Sequence, residues 1–287
     1  MKDPQIAIEN QVFNGITDMA GESFMTVFRG FEGIMGMAFP EMAVEGGSCL
    51  FSNIVDQLDH ASFGYYVSGH RGLPGYVTFG SDVGDPRLHH SDFQEFPVVS
   101  PFWWTLKLRQ FRVGDEVLVQ DGNLVIDTGT TFFACPSDLK DTILDTRGPD
   151  NEYLPWSFDI YCDPPQDFYK DGAITKLQRK NYCAPDNKKG YVTYTWMPEE
   201  YLIEGRSQPQ AMQAVDIDNR AMFWGAHSLR KFYALFHPQK ATVEFATAKK
   251  WKDVDLIQMH MEAVQLGTDG GPLPETYYDD VTSSAAL

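Results

Sequence analysis

Apolar and polar positions alternate in short runs along this chain, and turn-forming residues separate the runs. The runs are QIAIENQVF (5–13), FGYYVS (63–68), GYVTFG (75–80), WWTLKL (103–108), EVLVQ (116–120), LVIDTG (124–129), YVTYTW (191–196), ALF (234–236) and ATVEFA (241–246). All are rich in β-branched and aromatic residues, which fit a pleated, half-buried surface, so they predict strands. Gly and Pro fall mostly between the runs, where turns need them. Helical periodicity is scarce. It predicts a short helix at SNIVDQLDH (52–60), with Ser52 as N-cap, and a second at PSDLKDTIL (136–144), opening on Pro136. The predicted fold class is all-β with a few short helices.

Two stretches break the pattern. Residues 145–190 are rich in Asp, Pro, Lys and Asn and read as a long surface insertion. Residues 251–287 lose the alternation and end in TDGGPLPETYYDDVTSSAAL, which reads as an acidic, poorly ordered tail. The pair His89-His90 reads as a solvated turn rather than a metal site.

Composition narrows the function classes. The 287 residues are 43% hydrophobic, enough for a sizeable core, so disorder throughout is excluded. The formal net charge of −17 repels a phosphate backbone, and no basic stripe offsets it; no nucleic-acid partner is expected. No apolar run approaches the length a bilayer requires. The opening MKDPQIAIEN lacks the apolar core of a signal peptide. Four cysteines do not make a disulfide scaffold. Cys162 and Cys183, twenty-one apart, can close one loop, and none sits in a CxxC pair. No phosphate-binding loop, dinucleotide fingerprint, zinc-protease helix or serine-nucleophile elbow is present, and no cofactor or metal is expected.

Chemistry concentrates in LVIDTGTTFF (124–133). An apolar strand, Leu124-Val125-Ile126, delivers Asp127 to the edge of a core, and a Thr128-Gly129-Thr130 turn follows. Taken alone, Asp-Thr-Gly is equally a turn whose Asp bonds nearby backbone amides. The strand before it holds the carboxylate in place. Gly129 lets the backbone bend, and the hydroxyls of Thr128 and Thr130 can lock the turn.

This segment, continued to Thr131, resembles the active-site loop of the pepsin-like aspartic peptidases. Their lobes each carry an apolar-apolar-Gly element crossing beside the Asp loop. Phe223-Trp224-Gly225 resembles the second-lobe element and Ile34-Met35-Gly36 the first-lobe one. LRKFYALFHPQKATVEFA (229–246), QVF (11–13), SNIVDQL (52–58), FGYYVS and GYVTFG follow in the family's order, from about residue 4 to residue 248. The resemblance implies a bilobal acid-protease fold. It places the remainder of an N-terminal lobe at 1–80, a C-terminal lobe at 81–250 with an insertion around 145–190, and a flexible tail at 251–287.

The resemblance further implies an endopeptidase of peptide and protein substrates, monomeric, secreted or held in an acidic organelle. Asp127 falls on the catalytic position. Thr130 and Thr131 fall where the family bonds the substrate backbone, and Thr128 where one Asp loop bonds across to the other. Phe24, Phe31 and Ile34 fall where the family lines its main apolar specificity pocket. Aspartic-protease dyads are the standard example of two carboxylates sharing one proton. The charged partner takes a proton from water, and the protonated one bonds the scissile carbonyl oxygen. This sequence holds a single Asp-Thr-Gly and enters the family's pattern partway through the first lobe, without the first Asp or the Tyr-bearing flap. The family also favours Asp at the positions of Glu32, Ala226 and His237. These departures leave a second reading open: an inactive relative that binds peptides.

Overall fold

The computed structural model describes residues 6–15, 33–43, 49–70, 73–90, 92–165, 180–203, 212–217, 220–255 and 258–259. Among these the strands are β1 (Phe63–Tyr66), β2 (Tyr76–Phe79), β3 (Gln94–Pro97), β4 (Ser100–Pro101), β5 (Trp104–Val113), β6 (Glu116–Gln120) and β7 (Asn123–Ile126). There follow β8 (Phe133–Cys135), β9 (Trp156–Tyr161), β10 (Tyr191–Trp196), β11 (Met212–Ala214), β12 (Met222–Trp224), β13 (Phe232–His237) and β14 (Thr242–Thr247). The α-helices are short: α1 (Leu50–Ile54), α2 (Ser137–Asp145), α3 (Pro198–Tyr201) and α4 (Ala226–Leu229). The fold is all-β, as the alternation predicts.

Two sheets organise the chain. An antiparallel five-stranded sheet runs β2-β1-β13-β14-β3, so strands distant in sequence share it. A nine-stranded sheet runs β10-β9-β5-β7-β12-β8-β11, with β4 and β6 also paired to β5. Strand β13 is buried at all six positions, which only a strand covered on both faces achieves. Aromatic rings fill the larger core. Phe158 and Trp224 meet edge to face at 5.4 Å, Trp196 and Trp224 at 4.7 Å, and Trp156 stacks on Tyr201 at 3.9 Å. Such pairs add about 0.5–1.5 kcal/mol each beyond the burial of their area.

Several expectations are corrected. The chain forms no strand over residues 6–15. Helix α1 begins at Leu50 after Cys49, and continues as a 3₁₀ turn over Val55–Gln57, so Ser52 lies inside it rather than capping it. Helix α2 starts at Ser137. Its first amide is met by Asp216 Oδ1 at 2.9 Å, a carboxylate far along the chain that this bond holds below the usual range.

The stretch 145–190 contains core as well as surface. Strand β9 is buried at five of six positions, between β5 and β10. Its Asp159, 1% exposed, accepts from Thr193 Oγ1 at 2.6 Å and Gln110 Nε2 at 2.7 Å, and pairs with Arg109 and Arg112. Beyond it the Cys162–Cys183 disulfide closes a loop. The tail is likewise packed at its start: Val254 and Met259 are buried against Tyr66 and Tyr233, and residues 260–287 lie outside the described ones. His89 is not solvated. It is 5% exposed, against Phe93 and Tyr233, with its ring nitrogens facing the carbonyls of His90 and Val83; only His90 is exposed.

Candidate active site

Strand β7 carries Asp127 out of the nine-stranded sheet. Leu124, Val125 and Ile126 are buried, paired antiparallel to β5 on one side and parallel to β12 on the other. The pairing fixes where the strand ends, and Asp127 is the first residue beyond it. Strand β12 then pairs antiparallel with β8, which follows the turn, so β12 lies between the two arms of the Asp127 loop.

Backbone bonds fasten the loop at four points. Asp127 N–H donates to Trp224 O at 3.0 Å, and Thr130 N–H donates back to Asp127 O at 3.2 Å. Ala226 N–H donates to Thr130 O at 2.8 Å and His227 N–H to Thr131 O at 2.9 Å. The last two use amides at the start of α4, which have no partner inside the helix and so are available to the loop. Gly225 is what allows the approach. A Cβ there would fall against the carbonyl oxygens of Phe132 and Thr130. The Ser228 hydroxyl bonds Gly225 O at 2.8 Å and closes the turn.

The carboxylate is oriented from within its own loop. Oδ1 of Asp127 accepts the Gly129 N–H at 2.9 Å, and Oδ2 accepts the Thr130 hydroxyl at 2.6 Å. Both bonds restrain the side-chain rotation, while the half-buried carboxylate keeps acceptor capacity toward solvent. Such a group can orient a water molecule and take a proton from it. Thr128, Gly129 and Thr131 are exposed at the tip.

The other predicted site residues are placed differently. Ile34 is 71% exposed in a segment outside the helices and strands, and Phe24 and Phe31 lie outside the described residues, as does Glu32. Ala226 gives the loop only its amide. His237 is buried 3.0 Å from Glu244 in the five-stranded sheet. Sequence reasoning missed His227, whose amide grips the loop and whose Nε2 lies 2.9 Å from Glu200 O; its residue type gave no signal, because the backbone does the gripping. Cys135, just past the loop on β8, is wholly buried, and burial pushes its thiol up to about 12; it is a core residue rather than a nucleophile.

The profile of eukaryotic aspartyl proteases matches residues 4–248. Gastricsin of Callithrix jacchus is 26% identical over 256 residues, covering 85% of this chain and 61% of the relative. Probable vacuolar protease A of Trichophyton verrucosum is 26% identical, covering 87% and 60%, and renin of Canis lupus familiaris 27%, covering 83% and 58%. The chain thus spans about three fifths of the length of these curated relatives. An Asp-Thr-Gly loop that joins β7 to β8 around β12, and a family profile covering most of the sequence, lead to one conclusion: the chain belongs to the eukaryotic aspartyl protease family.

Proposed function

We propose that Asp127 is one of the two carboxylates of an aspartic endopeptidase, and that this chain carries the half of the site built by the second lobe. The observation that carries the reading is the double grip on the Asp127 carboxylate, at Gly129 and Thr130, inside a loop pinned by β12 and α4. That arrangement supports general-base work on a water. Family membership supports peptide-bond hydrolysis as the reaction. The reading assigns the second carboxylate to a matching loop in the whole protein, since this sequence holds one Asp-Thr-Gly. The two carboxylates then titrate as a unit, one accepting the water's proton while the other donates to the carbonyl oxygen.

Thr130 and Thr131 are proposed to bond the substrate backbone, Thr128 to bond the partner loop, and Phe24, Phe31 and Ile34 to line the apolar pocket. The exposed side chain of Ile34 is free to meet such a ligand. The substrate is a peptide or protein, and the enzyme works as a monomer. Secretion or an acidic organelle is the proposed compartment. The Cys162–Cys183 disulfide supports an oxidising location, and one relative bears a vacuolar name.

The test combines intact mass, N-terminal sequencing and cleavage of an unfolded protein by material from the natural source. A species heavier than 32.5 kDa with a second Asp-Thr-Gly is expected. Acid-pH cleavage should disappear on Asp127→Asn. Cleavage that survives this substitution sinks the reading. Peptide binding without cleavage assigns the chain to the inactive relatives, as the departure at Ala226 would favour.

A further inference from the structure

The face of the nine-stranded sheet that turns away from the aromatic core is polar where β5, β9 and β10 meet. Cross-strand partners set it in rows. Arg112, Ser157 and Thr195 form one, Gln110, Asp159 and Thr193 the next, and Tyr161 and Tyr191 a third. Partners in a ladder share a face, and so do alternate residues of one strand. Arg109 joins this face only because β5 is irregular. The register of β5 against β9 passes from Leu108↔Ile160 to Gln110↔Asp159, so Arg109 is an inserted residue. A bulge of this kind re-aims a side chain. Here Arg109 comes alongside Gln110 and Arg112, and its Nη1 reaches Asp159 at 3.2 Å.

The charges on this face do not cancel. Asp159 is 1% exposed and receives short bonds from two neutral groups, Thr193 Oγ1 at 2.6 Å and Gln110 Nε2 at 2.7 Å. Arg109 and Arg112 each add one longer bond, at 3.2 Å and 3.3 Å. One carboxylate thus meets two guanidiniums, whose side chains are 36% and 26% exposed. A guanidinium carries five N–H donors, so one bond to Asp159 leaves most of them unspent. Nε of Arg112 is buried, and its open capacity lies at the outer Nη groups. Arg109 sits over the Tyr191 ring, 4.5 Å from its centre. A guanidinium held by its face keeps its N–H edge for a further partner. Two more acids bound the strip: Glu116 opens β6 and Asp121 follows it, both exposed. Asp121 accepts the Tyr161 hydroxyl at 3.4 Å and, at its carbonyl, Lys107 Nζ at 2.8 Å.

We propose that this strip docks a protein segment through one acidic side chain, bonded by Arg109 and Arg112. Charge complementarity carries the choice. Two cations against one buried anion leave a surplus of one positive charge, on a chain whose net charge is −17. A single Glu or Asp balances that surplus. A run of acids meets Glu116, Asp121 and the field of the whole chain, which also repels a nucleic acid. Guanidiniums already oriented by Asp159 lose little freedom on binding, and their fork of N–H groups suits a carboxylate. Val117, the cross-strand partner of Arg112, is 45% exposed and offers apolar contact beside the acid. The strip stands apart from the Asp127 loop. Strand β7 pairs with β5 from Thr105 to Lys107, and Gln110 lies five residues past Thr105, about 15 Å at the rise of a strand. The inference therefore does not rest on the peptidase reading.

The test titrates the full chain with blocked peptides and follows the arginine side-chain signals by NMR. The probes are Gly-Val-Glu-Val-Gly, its Gln counterpart, Gly-Glu-Glu-Glu-Gly and inorganic sulfate. The Glu peptide should bind about tenfold tighter than the Gln peptide at low salt. The triple-Glu peptide should gain nothing over the single one. Arg109→Gln and Arg112→Gln should each weaken the preference, the double variant should erase it, and Arg112→Lys should keep part of it. Asp127→Asn should leave it intact, which separates this strip from the peptidase site. Equal affinity for the Glu and Gln peptides in the unaltered protein overturns the proposal without reliance on any variant. An unchanged preference in a folded double variant overturns it as well. Sulfate that shifts both arginines where the Glu peptide does not would assign the strip to a free oxyanion and overturn the docking of a protein segment.

Discussion

The apolar-apolar-Gly element occurs twice in this chain, and its two copies meet opposite surroundings. In Phe223-Trp224-Gly225 the first two side chains are 6% and 0% exposed, and the glycine lies against the carbonyls of the Asp127 loop. In Ile34-Met35-Gly36 the corresponding side chains are 71% and 51% exposed, and a Cβ on Gly36 would meet nothing within 4 Å. Among the described residues the first copy is tied down beyond its end, where Met37 O accepts the Trp104 indole N–H at 2.9 Å and Phe39 packs on the same ring. The composition of the element is therefore not what buries it. Burial comes from the loop that crosses it, and the second copy has that loop, with Asp127 at its bend.

The sharpest way to break the comparison is to add one methyl group to each glycine. Gly225→Ala should cost about 4 kcal/mol or more, because its Cβ meets backbone that cannot yield, while Gly36→Ala should stay within about 0.5 kcal/mol. Urea denaturation measures both, and equal losses would mean that the two copies are packed alike. Next comes truncation of the central side chain. Trp224→Ala removes a ring from the aromatic core and should cost about 3–5 kcal/mol. Met35→Ala should be nearly silent, and a loss above about 1 kcal/mol would show a burial of the first copy that its exposure denies.

Each copy also has a thiol as reporter. Cys135 lies on β8 beside the second, and Cys49, whose Sγ bonds Ala38 O at 3.4 Å, lies near the first. A thiol reagent should label half-buried Cys49 in the folded protein and leave Cys135 untouched. The buried Cys135 thiol is neutral in the folded protein, and the raised pKa sets the sign. Its contribution to stability is complete below its ordinary 9.0 and is lost as pH rises toward about 12. Stability should therefore fall with alkaline pH, and Cys135→Ala should flatten that slope; an unchanged slope removes the thiol as its cause. The smallest effect concerns the loop itself. Thr130→Val removes the hydroxyl on Asp127 Oδ2 and should cost about 1 kcal/mol of stability. If the protein cleaves peptides, turnover should fall further than that loss of stability accounts for.

How legible the molecule was depended on where each residue finds its partners. Strand β10 was readable to the residue, because YVTYTW alternates and is bounded by turns. Strand β9 was hidden by the Asp in WSFDIY, which reads as a surface residue in a polar neighbourhood. Its charge is satisfied by Arg109 and Arg112 from β5 and by the Thr193 hydroxyl from β10, none of them near in sequence. His89 was misread for a related reason: its partners are two backbone carbonyls and the ring of Tyr233, which residue type does not announce.

The sequence by itself determined the all-β class, most strand positions, the Asp127 loop and the family, since these rest on local patterns of side chains along the backbone. The tertiary structure alone decided which of the two similar elements is core. It also made the amides of Ala226 and His227 part of the site. Those outcomes turn on contacts between segments nearly a hundred residues apart, and a contact of that kind is a property of two surfaces, written in neither segment alone.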